Sequence, residues 1–145
     1  MNHYTYDEIT IGQKECFSVT ITGEMQDSFR DITGDVNPLH ASSQYAKEKG
    51  HKDRVVFGML SASLLSTLAG VYLPGERSII QSVSVKFRKP VYIGDTLTVE
   101  GVVSDKIDSV STIVVKVLMT NRDGVKVLKG EMQIGVQDDY GSEED

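Results

Sequence analysis

Phe57-Gly-Met-Leu-Ser-Ala-Ser-Leu-Leu-Ser-Thr-Leu-Ala-Gly-Val-Tyr72 contains no charged side chain in sixteen consecutive residues. The composition predicts a helix, and a helix that is apolar all round must be buried on most of its sides. Its Gly, Ala and Ser residues keep it thin, so another layer can pass close to its axis. Pro74-Gly75 predicts its end. The segment is interrupted by Gly and Ser and does not predict a membrane span. A buried helix of this kind requires something wrapped around it.

The rest of the chain supplies that layer. Gln13–Ile21 alternates as a first strand, with Cys16 or Phe17 marking one face, and the apolar-leaning run around Cys16 predicts a buried structural thiol. Ser82–Arg88 sets Val83, Val85 and Phe87 against Ser84, Lys86 and Arg88. Thr96–Asp105 follows with Leu97, Val99 and Val103. Thr112–Thr120 and Val125–Val136 then flank the hairpin turn Asn121-Arg-Asp-Gly124. These last strands succeed one another without helices between them, which predicts an antiparallel sheet and an α+β class.

The helical insert lies between the first strand and the long helix. Thr22 is placed as an N-cap, Glu24 and Asp27 suit the positive end of the helix, and Met25, Phe29 and Ile32 recur at helical spacing up to Gly34. Asp35–His40 reads as a loop, because Pro38 disfavours helix at Asn37. Ser42 or Ser43 then caps a short helix that stops at Gly50.

One domain is expected over residues 1–137, with 138–145 as an acidic, disordered tail. The formal net charge is -6, but Gln137–Asp145 holds Asp138, Asp139, Glu143, Glu144 and Asp145 and no Lys or Arg. The body is therefore close to neutral and has no basic stripe for nucleic acid. With one cysteine no disulfide can form within the chain, which fits a reducing, cytoplasmic setting. The first residues have neither the basic nor the apolar region of a signal peptide. Three histidines and one cysteine without ligand spacing predict no metal site.

Phe29-Arg-Asp-Ile-Thr-Gly-Asp-Val-Asn-Pro-Leu-His40 places a carboxylate, Asp35, and an imidazole, His40, five residues apart among turn-forming residues. These are the two commonest proton-handling side chains. Taken alone, Gly-Asp-x-Asn-Pro is also what a capped turn looks like. Asn37 is a brace for the loop or a polariser of the pair.

Taken together, these segments resemble the MaoC-like, or hydratase-2, branch of the hotdog fold, in which an antiparallel sheet wraps around a long central helix. Phe29, Ile32 to Asp35, Asn37 to His40 and Ala46 follow that family's first signature without a gap. Phe57-Gly-Met-Leu60 is similar to its His-Gly-Met-Leu helix start, with Phe57 in place of His, and Ser63 falls at its helix serine. Leu73-Pro-Gly75 and Phe87-Arg-Lys-Pro-Val-Tyr-Ile-Gly-Asp95 match later landmarks.

The resemblance implies reversible hydration of a trans-2-enoyl thioester to the (R)-3-hydroxyacyl thioester, carried on coenzyme A or acyl carrier protein, with no cofactor. Such a reaction needs two groups to hold and deprotonate one water, and a donor for the developing enolate oxygen. Asp35 and His40 fill the first role. The Gly58 amide, at the start of the buried helix, fills the second. Ser63 is expected to hydrogen-bond Asp35 from behind, and Phe57 and Met59 to line the substrate pocket. Lys86, Arg88 and Lys89 either meet coenzyme A phosphates or form a solvated strand face. Ser61, Ser66 and Thr67 are expected to bond helix backbone. The resemblance also implies a homodimer, joined sheet edge to sheet edge. Two other activities fit the same scaffold: a non-catalytic acyl-thioester binder, and a thioesterase.

Overall fold

The computed structural model describes residues 1–138. Its strands are β1 (Lys14–Thr20), β2 (Ser78–Phe87), β3 (Thr96–Ile107), β4 (Thr112–Thr120) and β5 (Lys126–Val136). Its helices are α1 (Gly23–Thr33), α2 (Pro38–Ala41), α3 (Ser43–Glu48) and α4 (Gly58–Thr67), the last running on as a π-helical stretch over Leu68–Tyr72. All five strands form one antiparallel sheet in the order β1-β3-β4-β5-β2. The expected tail lies outside the described residues except for Asp138, whose carboxylate accepts from the Tyr6 amide at 3.1 Å.

Helix α4 lies against the concave face of that sheet. Leu60, Leu64, Leu65 and Leu68 are buried in one cluster with Leu97, Val99, Val103, Val115, Met119, Leu128 and Ile134. In β3 the inward positions alternate with half-exposed ones, as a strand with one covered face requires. Each such aliphatic side chain stabilises the fold by about 1.5–3 kcal/mol relative to exposure. Helix and sheet meet most closely at Gly101, where a β-carbon would stand 2.9 Å from Leu68 Cδ2 and 3.0 Å from Val115 Cγ1. Both neighbours are buried, so that position has no room for a side chain.

The long helix starts one residue later than expected. Phe57 is extended, at φ -51° and ψ 123°, because its amide donates to Gln26 Oε1 at 3.2 Å instead of entering the helix. Asp35–His40 is not all loop. Asn37 is extended (ψ 127°), as a residue before proline must be, and Pro38 then opens the single turn of α2, where a missing N–H costs nothing. Ser42 is the residue that caps α3, through a bond from the Tyr45 amide at 3.1 Å.

Four side chains sit differently from the sequence reading. Cys16 is exposed on the outer face of edge strand β1, because Phe17 takes the inner face and stacks on Tyr72 with ring centroids 4.8 Å apart. Ile32 is 82% exposed at the end of α1. In β2, Val83 and Phe87 share a face with Val85, but β2 is the outer strand of the sheet, and Val83 and Phe87 remain exposed. Ile79, Ile80 and, on α4, Met59 are exposed as well, so an apolar band runs along this edge.

Replacing Gly101 by valine should force Leu68 or Val115 aside and cost about 1–3 kcal/mol of stability. The measurement is the urea midpoint, with an unchanged slope if only packing is affected.

Candidate functional site

The site is assembled at the start of α4 by segments on either side of it. Helix α1 is fixed first. Thr22 Oγ1 accepts from the Met25 amide at 3.2 Å, and Gly34, in the left-handed region at φ 71°, closes the other end with its amide on the Arg30 carbonyl at 2.7 Å. From there a chain of short-range bonds carries the backbone through the loop. Thr33 Oγ1 donates to the Phe29 carbonyl at 2.9 Å and accepts from the Asp35 amide at 3.2 Å. Asp35 Oδ1 accepts from the Asn37 amide at 3.1 Å, and Asn37 Oδ1 from the Leu39 amide at 3.0 Å. Of the two uses expected for Asn37, the structure shows the bracing one. Asp35 uses one carboxylate oxygen in this network, and Oδ2 has no partner among the described residues.

His40, on α2, is oriented by a single bond: its Nδ1 lies 2.7 Å from the Val55 carbonyl. A carbonyl can only accept, so Nδ1 carries the proton. Neutral His40 then presents an unprotonated Nε2 as an acceptor. Its ring packs on Phe57 with centroids 4.2 Å apart, and Phe57 in turn lies 5.1 Å from Phe29.

Sequence reading missed Gln26, the residue that ties these parts together. It is fully buried, and its amide makes three bonds: Nε2 donates to the His40 carbonyl at 3.1 Å and to the Val55 carbonyl at 3.0 Å, while Oε1 accepts from the Phe57 amide at 3.2 Å. The Val55 oxygen that orients His40 is therefore itself held by Gln26. A polar residue three positions before Phe29, on the inner side of an amphipathic helix, was the available signal.

At the first turn of α4 the Phe57 carbonyl takes the amides of Leu60 and Ser61, at 3.0 and 3.2 Å. The Gly58 amide is left without a partner among the described residues, at the positive end of the helix dipole. Glycine suits this spot, because a β-carbon would stand 3.1 Å from the Phe87 ring.

Two cavities meet here. One, of about 370 Å³, is lined by Asp35, His40 and Gly58, with Phe29, Phe57, Met59 and Phe87 as apolar walls. The other, of about 280 Å³, shares His40, Gly58 and Phe87 and continues past Ser61, Val56, Val91 and Leu128 to Arg88 and Lys89 at its rim. Asp35, His40, Gly58, Phe57 and Met59 are thus brought together. Ser63 is not: its hydroxyl donates to the Leu60 carbonyl at 2.6 Å, one turn back on its own exposed helix face, and does not reach Asp35. Lys86 lines neither cavity. Among the described residues no group of three or more His, Cys, Asp or Glu is placed to hold a metal, and no helix is long and apolar enough to cross a membrane.

Comparison with known proteins shows the family of the chain. Residues 8–124 match the family described as MaoC like domain. The chain belongs to the MaoC-like family. It is 38% identical over 108 residues to an (R)-specific enoyl-CoA hydratase of Rhodospirillum rubrum, covering 72% of this chain and 74% of that protein. Among solved structures, it superposes on the unliganded R-hydratase PhaJ1 of Pseudomonas aeruginosa with a TM-score of 0.87 at 31% identity, covering 93% of this chain and 86% of that one. The (R)-hydratase of A. caviae gives 0.85 at 30% identity, over 88% and 97%. The hotdog fold expected of a MaoC-like chain is borne out, and so, by these relatives, is the hydro-lyase class.

Gln26→Met keeps the volume and removes the amide, leaving the Phe57 amide and the His40 carbonyl without a partner and the Val55 carbonyl with His40 Nδ1 alone. At about 1–3 kcal/mol for each of the two buried groups left unsatisfied, chemical denaturation should register a loss of about 2–6 kcal/mol.

Proposed function

We propose that this MaoC-like protein catalyses the reversible hydration of trans-2-enoyl thioesters to (R)-3-hydroxyacyl thioesters. The observation that carries this reading is one cavity lined at once by Asp35, His40 and Gly58, whose amide has no partner among the described residues. In the hydration direction a water sits between Asp35 and His40. The Asp35 carboxylate and His40 Nε2 each accept one of its hydrogen bonds. Its oxygen bonds to the β-carbon as a proton passes to that pair, and the α-carbon gains a proton in return. Between these events negative charge gathers on the thioester oxygen, which rests against the Gly58 amide. The step balances with water and thioester alone, so no cofactor enters.

The junction of the two cavities at Gly58 suits a thioester, which has a chain on either side of its carbonyl. The Asp35 side takes the acyl group, whose β-carbon must meet the water. The other side takes the carrier arm, and Arg88 and Lys89 at its rim suit the phosphates of coenzyme A or of a phosphopantetheine carrier. Phe57, where the resembled signature has His, packs against His40 with the ring planes tilted by 31° and makes this wall apolar.

A homodimer accompanies this reading. The exposed apolar band of β2, with Ile79, Ile80, Val83 and Phe87, lies on an unpaired sheet edge. A second copy placed edge to edge would cover it. Phe87 belongs both to this edge and to the two cavities, so the pocket would open beside the interface.

Asp35→Asn and His40→Ala should each lower the turnover of crotonyl-CoA, followed by loss of the enoyl absorbance, by about 10²–10⁴-fold. Normal turnover by Asp35→Asn would refute the assignment. Saturable acyl-CoA binding without hydration would indicate a binding module, and thiol release a thioesterase. The solution mass should be twice the chain's 16.0 kDa, and Ile80→Lys with Val83→Lys should halve it in sedimentation.

A further inference from the structure

Ser61 stands apart from the other hydroxyls of α4. It is only 3% exposed, and its Oγ has no hydrogen-bond partner among the described residues. A buried hydroxyl without a partner costs about 1–3 kcal/mol of desolvation, and such groups are few in folded proteins. Serines within helices usually give their proton to a carbonyl one turn back. Ser63 does this with Leu60 at 2.6 Å. For Ser61 the carbonyl one turn back belongs to Phe57, which already accepts from two amides.

The position of the orphan hydroxyl is informative. Ser61 lines the 280 Å³ cavity together with Gly58, His40 and Phe87, and other walls of it, Val56, Val91 and Leu128, have no polar side-chain atom. It is three residues beyond Gly58, hence on the same face of the helix. Helical side chains lean towards the N-terminus, over the preceding turn. The Ser61 hydroxyl and the unpartnered Gly58 amide therefore face one region in front of the first turn of α4. Any group drawn to the amide meets the hydroxyl as well.

We propose that Ser61 is a second hydrogen-bond donor to the thioester oxygen of the substrate, beside the Gly58 amide. This rests on the hydratase reading of the site and adds a residue to its oxyanion-binding part. The hydroxyl costs stability in the empty protein and is satisfied once the thioester is bound. The bond strengthens as charge builds on the oxygen, so its effect belongs to the transition state more than to the ground state.

The test compares the full-length protein with Ser61→Ala and Ser61→Thr. Steady-state hydration of crotonyl-CoA is one readout, and the other is the infrared carbonyl band of bound butyryl-CoA labelled with carbon-13 at the thioester. In Ser61→Ala, kcat and kcat/KM should fall together by about 10²-fold. The carbonyl band should move to higher frequency, and the melting temperature should stay level or rise, because no protein bond is lost. Ser61→Thr, which keeps the hydroxyl, should restore most of both signals. Unchanged turnover in Ser61→Ala would overturn the proposal and make the group a water site. So would a loss confined to KM with an unmoved band, which would put Ser61 on the carrier arm. A wild-type protein that hydrates no enoyl-CoA would refute the hydratase reading itself, and the carbonyl band of bound butyryl-CoA would still decide the role of Ser61.

Discussion

One buried amide holds the site together. Gln26 bonds at once to the turn that carries His40, to the carbonyl that orients its ring and to the residue before the central helix. None of these segments is one of the five strands, and without the amide the His40 carbonyl and the Phe57 amide would be stranded. A primary amide fits because it donates twice and accepts once here, with donor and acceptor in a fixed plane. A carboxylate would present acceptors to two carbonyls, and an aliphatic side chain would present nothing. The cost of burying Gln26 is thus offset by backbone groups that need a partner in any case.

From that anchor the electrostatics of the site follow. Withdrawing the Phe57 amide from the helix makes Gly58 the first helical residue, so its N–H points into space at the positive end of the dipole. No charged side chain along α4 itself offsets that end. On the opposite side of the cavity, the Val55 carbonyl commits the His40 proton to Nδ1 and turns Nε2 outward as an acceptor. The pocket therefore holds acceptors at one wall and a donor at another, which is the polarity required to add water across a conjugated thioester.

Much of this was legible in the sequence. A charge-free stretch has only one stable place in a small domain, so α4 was found by composition, and the strands around it by their period of two. The same lack of an amphipathic stripe hid the rotation of α4 about its axis. Ser61 and Ser63 are about 200° apart at the helical repeat, and nothing in their neighbours tells which one meets the cavity. The buried hydroxyl is Ser61, and Ser63 satisfies itself on the exposed face. For β2, Val83, Val85 and Phe87 alternate equally well on an inner or an outer strand, and only the order β1-β3-β4-β5-β2 puts them at an edge. The spacing puts Gln26 on the inner side of α1, but its three distant partners are not written in its neighbours. Asp35 and Asn37 were easier, because their bracing is local and local bonds are written in adjacent residues.

That local bracing divides labour within the chain. Every bond that orients Asp35 or His40 comes from residues between Gln26 and Phe57. The second cavity takes much of its wall from elsewhere, through Val91, Val127 and Leu128. Reactive geometry and cavity shape are therefore encoded by separate stretches, with few shared residues. Substitutions in the later strands can remodel the room available to a ligand while the proton-handling groups keep their aim. A scaffold partitioned in this way can diversify what it admits without relearning its chemistry.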